Sequence, residues 1–437
     1  MNKYMFTILN LKKRAFQSRL LNDSFWVLLG NSVGKGLALA AGIVVARFLG
    51  KEMYGEYGII RNTLVSIAVF STFGLGFTAT KYVSENKKYN TENISAILYY
   101  ARNITLTVSG ILAIVLFLSS KFLAVQILES PHLTIPLRIT SVWIAFNAVT
   151  TTQIGVLSGF GSFKEMSRVN IIVGITTFVS SYVFTYYWEL IGALYSLLLS
   201  QVLNWFLNYL LIIRVLPKRI SVSIKNKRLL RDILKFSFPI AMQEGIDSIY
   251  AWIVSLLLIK LASYSELGMY SAAIQWYAII NFIPVILRNV FLTHFSSNQN
   301  NQLKHDSVLR KALLINFISV TALIVLIYIF SNKIAFIYGV SFSGIDKLIR
   351  IAVLIPLFLS SCGVFIQAFY SKGKNWLVFI LTALRDLGIV VLSYHLLKKY
   401  SDKGAIVVIY TSLILNLFYL LALLLSYMKL RKSVYWF

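Results

Sequence analysis

The stretch GKGLALAAGIVVARFLGKEMYGEYGIIRN, residues 34–62, is almost wholly apolar, yet its apolar runs hold Lys35, Arg47 and Arg61, and a fourth cation, Lys51, lies in the short break between them. Its only acids are two glutamates in the short break between two apolar runs. With its flanking residues, each run reaches the ~20 residues that a helix needs to cross a bilayer. The stretch therefore predicts a membrane-embedded helical hairpin, and its cations call for an explanation.

The composition of the whole chain agrees with this prediction. Of its 437 residues, 58% are hydrophobic and 13% are charged, whereas soluble domains have about 45–50% apolar and about 25% charged residues. The net charge of +26 would suggest nucleic acid binding in a soluble protein. Here the charge is concentrated in loops between apolar runs, so nucleic acid is not an expected partner. Cys362 is the single cysteine, which excludes an intramolecular disulfide.

The apolar runs predict an all-α integral membrane protein of about twelve transmembrane helices. The runs are continuous and lack the ten-residue alternation of a transmembrane barrel. The boundary between the fifth and sixth spans, at Trp188–Glu189, is the least distinct. The predicted spans are 23–49, 55–79, 93–118, 135–158, 167–187, 190–213, 233–260, 266–294, 309–330, 348–370, 375–396 and 404–428.

The distribution of lysine and arginine predicts the orientation. If both termini are cytoplasmic, 26 of the 42 basic residues fall on the cytoplasmic side and 8 on the external side, as the positive-inside rule requires. Residues 1–22 lack the apolar core and cleavage site of a signal peptide and predict a cytoplasmic amphipathic segment. Residues 214–232 form a basic cytoplasmic linker, and residues 429–437 form a cytoplasmic tail.

Eight basic residues remain inside the predicted spans. Lys35 and Arg385 fall near mid-membrane, where a long side chain reaches water with most difficulty. The others lie nearer helix ends: Arg47, Arg61, Arg102, Arg138, Arg288 and Arg350.

An offset of 213 residues indicates an internal repeat. It places Ser24-Phe25 on Ser237-Phe238, Arg47 on Lys260, and Gly55-Glu56-Tyr57 on Gly268-Met269-Tyr270. Six spans per half give both halves the same orientation, which predicts a pseudo-two-fold axis along the membrane normal. The expected architecture is a six-helix bundle over 23–213 and a second over 233–428, around a central cavity.

The same offset places Lys35 on Ser248, beside Asp247, and Asn31 on Glu244. Glu244 and Asp247 share a helix face at i, i+3 and are candidates either for proton coupling or for a salt bridge to Arg385. Because adjacent residues on a helix point in different directions, Arg385 and Asp386 are each expected to find a partner elsewhere.

The chain resembles the polysaccharide flippases of the multidrug/oligosaccharidyl-lipid/polysaccharide exporter superfamily, close to bacterial O-antigen flippases. The resemblance rests on GNSVGKGLALAAGIVVARFLGKEMYGEYGII, FSTFGLGFTATKYVSE, FSFPI and ELGMYSAAIQWY. It implies two helical bundles that open inward and outward in turn, and an undecaprenyl-pyrophosphate-linked oligosaccharide as substrate. It also implies a bacterial inner membrane location, with membrane lipids and other polysaccharide assembly proteins as partners, and no cofactor.

Under this resemblance the cations in and beside the predicted spans have a role, because phosphate pairs well with Lys and Arg. Lys35 and Arg385 are the predicted diphosphate contacts at mid-membrane. Three further cations are predicted near the external exit: Arg47, Arg61 and Lys260. Aromatic residues that could stack on sugar rings include Tyr250, Trp252, Trp276 and Tyr277.

Two other functions remain open at this stage. A cation-coupled multidrug exporter of the same superfamily would want an acidic cavity. A polytopic glycan polymerase or glycosyltransferase would need accessible acids or a metal site. The external loops are short and the four histidines have no metal-binding spacing, so an enzyme is not expected. The histidines, His132, His294, His305 and His395, are interpreted as interfacial or solvated.

Overall fold

The computed structural model describes residues 2–86, 91–216, 227–297 and 301–434, which are almost entirely helical and contain no strand. The α-helices are α1 Asn2–Thr72, α2 Leu75–Asn86, α3 Thr91–Phe122, α4 Thr134–Phe160, α5 Phe163–Val215, α6 Lys227–Leu261, α7 Tyr264–Ile280, α8 Phe282–Ser297, α9 Gln302–Tyr338, α10 Ile345–Ala352, α11 Ile355–Ser371, α12 Asn375–Lys399 and α13 Gly404–Val434.

Eight helical stretches of the described chain are long and apolar enough to cross a membrane. Two of them, Leu29–Asn86 and Phe163–Val215, have 58 and 53 residues, enough for two predicted spans each. The predicted seventh and eighth spans correspond to α6 and to α7 with α8. The all-α membrane fold with about twelve spans is therefore confirmed.

Helix breaks subdivide these long stretches. The predicted break at Trp188–Glu189 is present, and Glu189 adopts a positive φ of 46°. Gly50, with φ 69°, separates the first two spans within α1. Breaks at Phe73–Gly74 and Asn281 were not predicted, because the sequence stays apolar through them.

Local sequence explains where several helices begin. The Ser263 side chain accepts from the Glu266 amide and caps α7, and the Asn301 side chain caps α9 in the same way through Lys304. These caps satisfy amides that have no partner within the helix. Ser263 is the position that the 213-residue offset places on Gly50, so both predicted repeats break at the same point.

The chain forms two compact units. One comprises Met1–Ala41 and Ile60–Ile249, and the other comprises Gly42–Ile59 and Tyr250–Phe437. We call Gly42–Ile59 the hairpin segment, since it contains the turn between the first two spans. The division into bundles at 23–213 and 233–428 stays a prediction.

The first unit is built on close helix packing. A Cβ on Gly155 of α4 would overlap the Gly76 carbonyl oxygen of α2, so these two backbones touch. Thr105 of α3 and Thr152 of α4 share a hydrogen bond of 2.9 Å between their hydroxyls. Small residues at such contacts allow close approach where no water drives association.

The second unit has a large apolar core drawn from five helices. It combines Phe295 of α8, Leu309 of α9, Phe369 of α11, Val378 of α12 and Leu423 of α13. This core fixes the helices that carry Arg385 and its neighbours.

Candidate substrate-binding site

Lys35 is exposed on α1, on the side away from the contact of α1 with α5. On the contact side, a Cβ on Gly34 would lie 3.4 Å from the Asn170 carbonyl oxygen. Lys35 itself is exposed, and a Cβ on the adjacent Gly36 would meet no atom within 4 Å. Lys35 is therefore presented beside open space on a surface of small residues, within the first unit.

Arg47 lies in the hairpin segment and binds a helix terminus. Its Nη1 donates to the Ile337 carbonyl oxygen at 3.2 Å, in the last turn of α9. Carbonyls there have no partner within the helix and carry partial negative charge. The visible role of Arg47 is thus to cap α9, and its contact with substrate stays a prediction.

Arg61 and Lys260 are both exposed, and they belong to different units. Arg61 follows the hairpin segment in α1, and Lys260 ends α6. Their exposure is compatible with the predicted positions near helix ends.

Arg385 and Asp386 pair with each other. Nε and Nη2 of Arg385 donate to Oδ1 of Asp386 at 2.9 and 2.7 Å, and their side chains are 13% and 7% exposed. The sequence did not predict that these adjacent residues would pair with each other. The long arginine side chain lets its guanidinium reach the neighbouring carboxylate, although adjacent Cβ atoms on a helix point in different directions.

Aromatic and hydroxyl groups from neighbouring helices surround this pair. The Arg385 guanidinium lies 4.9 Å from the ring centroid of Tyr419, a favourable cation–π distance. The Tyr419 hydroxyl bonds Thr382 at 2.8 Å. Tyr250, a predicted sugar contact, hydrogen-bonds Ser412 and lies within electrostatic range of the pair. These groups hold Arg385 in one orientation.

The two residues of the predicted acidic pair both lie on α6. Glu244 and Asp247 belong to the continuous helix α6, but their side chains lie outside the described residues. Their role in coupling and the alternative salt bridge to Arg385 both stay predictions.

A comparison with protein family models identifies the class of this chain. The model described as polysaccharide biosynthesis protein matches residues 20–291, more than half of the sequence. The chain belongs to the polysaccharide biosynthesis protein family. No curated protein sequence gives a significant match.

Solved structures from the superfamily that the sequence resembles share the fold of this chain. An inward-facing multidrug resistance MATE transporter of the MOP superfamily has a TM-score of 0.77 at 16% identity, covering 93% of this chain and 99% of that one. The lipid II flippase MurJ, in an inward closed conformation, has a TM-score of 0.73 at 17% identity, covering 92% and 87%.

A MOP superfamily transporter from Pyrococcus furiosus, described as having a binding pocket of reverse polarity, has a TM-score of 0.66 at 17% identity, covering 94% and 96%. At these identities the likeness establishes a shared fold. The family match and the shared fold agree with the predicted resemblance, and these matched proteins are described as transporters or as a flippase.

This polysaccharide biosynthesis protein also has a polar cluster that sequence reasoning missed. His305 is fully buried, so its interpretation as interfacial or solvated was wrong. Its Nδ1 lies 2.8 Å from the Tyr427 hydroxyl and its Nε2 lies 3.1 Å from Ser371 Oγ. Tyr427 also donates to Asp306 Oδ1 at 2.9 Å. These partners come from α9, α11 and α13, so no local pattern in the sequence marks them.

Two cations complete the cluster around Asp306. Arg431 Nε lies 3.1 Å from Asp306 Oδ2. Lys372, in the turn after α11, donates to Gln302 Oε1 at 2.5 Å, and Gln302 in turn donates to Asp306 Oδ1 at 2.7 Å. Burial lowers the pKa of Lys372, and the nearby Asp306 carboxylate opposes that shift. The cluster ties three helix ends together and has no evident role toward substrate.

Proposed function

We propose that this chain moves an undecaprenyl-pyrophosphate-linked oligosaccharide, the repeat unit of an O-antigen or capsule, across the bacterial inner membrane by alternating access. The family match and the fold shared with transporters and a lipid II flippase support a flippase. The observation that carries the substrate assignment is Lys35, an exposed cation beside open space on a predicted mid-membrane segment.

The diphosphate is the part of such a substrate whose transfer into the hydrocarbon core of the membrane costs the most free energy. An ammonium group that meets it in a wet cavity replaces part of its hydration with a charge-assisted hydrogen bond. Lys35 has small neighbours, Gly34 and Gly36, which leave room for a bulky head group. We therefore assign the first diphosphate contact to Lys35.

Arg385 is assigned a weaker role than Lys35 in binding the diphosphate, because Asp386 already offsets its charge. A guanidinium held by one carboxylate still presents N–H groups, but the pair as a whole adds no net positive charge. Because Tyr419 holds the Arg385 side chain in one orientation, Arg385 is better suited to position polar groups of the substrate than to neutralise the charge of the diphosphate. Arg47, Arg61 and Lys260 are proposed to act near the external exit.

The proposed orientation follows the distribution of basic residues, and the proposed membrane and partners follow from the resemblance to the flippases. Both termini are placed in the cytoplasm, the membrane is the bacterial inner membrane, and the partners are membrane lipids and other polysaccharide assembly proteins. Glu244 and Asp247 remain the proposed coupling groups.

The test is export of the repeat unit in a strain whose own copy of this gene is deleted. Complementation with the parent chain should restore surface glycan, and Lys35→Ala should leave the lipid-linked unit on the cytoplasmic leaflet. Lys35→Arg should retain most export because the charge is kept, and Lys121→Ala, at an exposed lysine ending α3, should export normally. Equal export by Lys35→Ala and the parent would refute the assignment. Drug susceptibility should be unchanged in all strains, whereas a drug exporter would change it.

A further inference from the structure

An arginine near the start of α4 is held in a fixed position by two side chains of α3. Nε of Arg138 donates to the Ser120 hydroxyl at 3.1 Å. Its guanidinium carbon lies 5.6 Å from the ring centroid of Phe117, one helical turn before the serine. In the described part of the chain Ser120 is the hydrogen-bond partner of this arginine, so both terminal nitrogens of the guanidinium keep N–H groups for another acceptor.

The second unit repeats this arrangement between α9 and α10. Nε of Arg350 donates to the Ser331 hydroxyl at 2.8 Å, and its guanidinium carbon lies 5.4 Å from the ring centroid of Tyr328, again one turn before the serine. Nη2 also donates to Asn332 Oδ1 at 2.7 Å. The serines are 211 residues apart and the arginines 212, close to the offset of the predicted repeat. We call these sets the two arginine seats: Arg138, Ser120 and Phe117 form the first, and Arg350, Ser331 and Tyr328 form the second.

Both arginine seats lie on outward-facing surfaces of their units. Phe117 and Tyr328 are 47% and 49% exposed, although both belong to helices that are long and apolar enough to cross a membrane. The next residue in each helix, Leu118 or Ile329, is also exposed. Exposed apolar side chains grouped in this way mark a surface that contacts the membrane, so the arginine seats are expected to border on lipid.

The arginine seats lie at the depth where the sequence predicts the membrane surface. Ser120 is in the last turn of α3, and Arg138 is in the second turn of α4. Ser331 and Arg350 lie on either side of the connection between α9 and α10. Both connections are predicted to be external. At this depth the hydrocarbon core gives way to the lipid head groups, whose phosphates are the nearest abundant anions.

The charge of each arginine seat suits such an anion. Within the described ranges neither Arg138 nor Arg350 forms an ion pair with an acid, so each retains a full positive charge. The planar guanidinium matches the oxygen atoms of a phosphate group. Because the serine and the aromatic ring already fix its orientation, less side-chain freedom is lost when a phosphate binds.

We propose that the two arginine seats bind the phosphate groups of anionic phospholipids in the leaflet predicted to be external, one lipid on each unit. The terminal nitrogens of Arg138 and Arg350 donate to the phosphodiester. The acyl chains lie against the exposed apolar side chains that follow the aromatic rings, Leu118 and Ile329. These sites are separate from the proposed diphosphate contact at Lys35, and the inference does not depend on the transport function.

Native mass spectrometry of the purified full chain, freed of copurified lipid, measures the binding of added phosphatidylglycerol. Arg138→Gln and Arg350→Gln should each weaken binding at one site by about tenfold, because each removes a charged hydrogen-bond donor. The double variant should lose both sites. Arg102→Gln and Arg310→Gln are matched controls, at exposed arginines toward the other ends of α3 and α9, and should bind lipid as the parent does. Equal binding by the parent and the double variant would overturn the proposal.

Thermal unfolding with added lipid separates binding from a purely structural role of the arginines. Phosphatidylglycerol should raise the unfolding temperature of the parent more than phosphatidylcholine, whose head group has no net charge, and inorganic phosphate should leave it unchanged. The double variant should lose the extra gain from phosphatidylglycerol. If the arginines only tie neighbouring helices together, the double variant will unfold earlier but gain as much from phosphatidylglycerol as the parent, which refutes the sites. Equal stabilisation of the parent by inorganic phosphate would refute a lipid as the ligand.

Discussion

Gly55 and Gly268, equivalent under the 213-residue repeat, face each other so closely that neither position has room for a Cβ. The contact joins backbone to backbone, so a side chain at either position cannot be accommodated by a rotamer change. Because the contact is symmetric, both positions need a small residue, and the 213-residue repeat has a glycine at each of them.

We predict that Gly55→Ala destabilises the protein. The added methyl group overlaps a carbonyl oxygen, and overpacking of this kind typically costs about 1–3 kcal/mol. Thermal unfolding in detergent measures the effect. Gly110→Ala is the matched control, because a Cβ at Gly110 of α3 meets no atom within 4 Å and alanine is the better helix former by about 0.5–1 kcal/mol. Equal unfolding temperatures for Gly55→Ala and the parent would contradict the close contact.

We predict that breaking the Arg385–Asp386 pair from one side harms stability more than replacing it whole. Asp386→Leu leaves a buried guanidinium uncompensated, which typically costs about 3–5 kcal/mol. Arg385→Met with Asp386→Leu removes both charges and should recover most of that loss. Unfolding of the parent, both single variants and the double variant forms a cycle that isolates the coupling.

The same double variant separates structure from function. If it folds and still exports glycan at the parental rate, Arg385 serves the fold alone. If it folds but export falls, the oriented guanidinium contacts the substrate, as proposed. Asp402→Asn, at an exposed acid in the turn before α13, should change neither stability nor export.

The His305 cluster predicts a third stability effect. Tyr427→Phe removes the hydroxyl that bonds both His305 and Asp306. Leaving buried polar groups without that partner should cost about 1–3 kcal/mol. Tyr410→Phe, at an exposed tyrosine of the same helix, should be nearly neutral. Comparable unfolding of the two variants would argue that the cluster does not bind helix ends together.

The sequence predicted helices better than it predicted contacts. Apolar runs mark spans, and the Trp188–Glu189 break was foreseen because a charged residue interrupts two such runs. The Phe73–Gly74 break was not, since hydropathy does not register a local change of backbone direction. At the site, depth along the chain singled out Lys35 and Arg385. The pairing of Arg385 with its neighbour, and the burial of His305 by Ser371 and Tyr427, depend on side-chain direction and on distant helices, which a single sequence does not encode.

The last prediction concerns Glu244 and Asp247, which share one face of α6 at i, i+3. Ionisable groups within a membrane often form proton relays, so this pair is a candidate for coupling transport to a proton gradient. If Glu244 is the proton carrier, the Glu244→Gln variant should still bind lipid-linked oligosaccharide, but its transport should no longer respond to an imposed pH gradient. If Glu244 is instead the structural partner of a cation, the Glu244→Gln variant should have a lower yield and a lower unfolding temperature. The protein that still folds should keep its response to the gradient.

Reconstituted transport by Glu244→Gln and Asp247→Asn, with and without a pH gradient, distinguishes these outcomes. Asp346→Asn, at an acid in the first turn of α10, controls for the loss of a carboxylate elsewhere in the second unit. A gradient response equal to the parent's in both variants, at normal stability, would remove the pair from the coupling mechanism. The proton would then have to be carried by another group, and the shared helix face of Glu244 and Asp247 would have no role in transport.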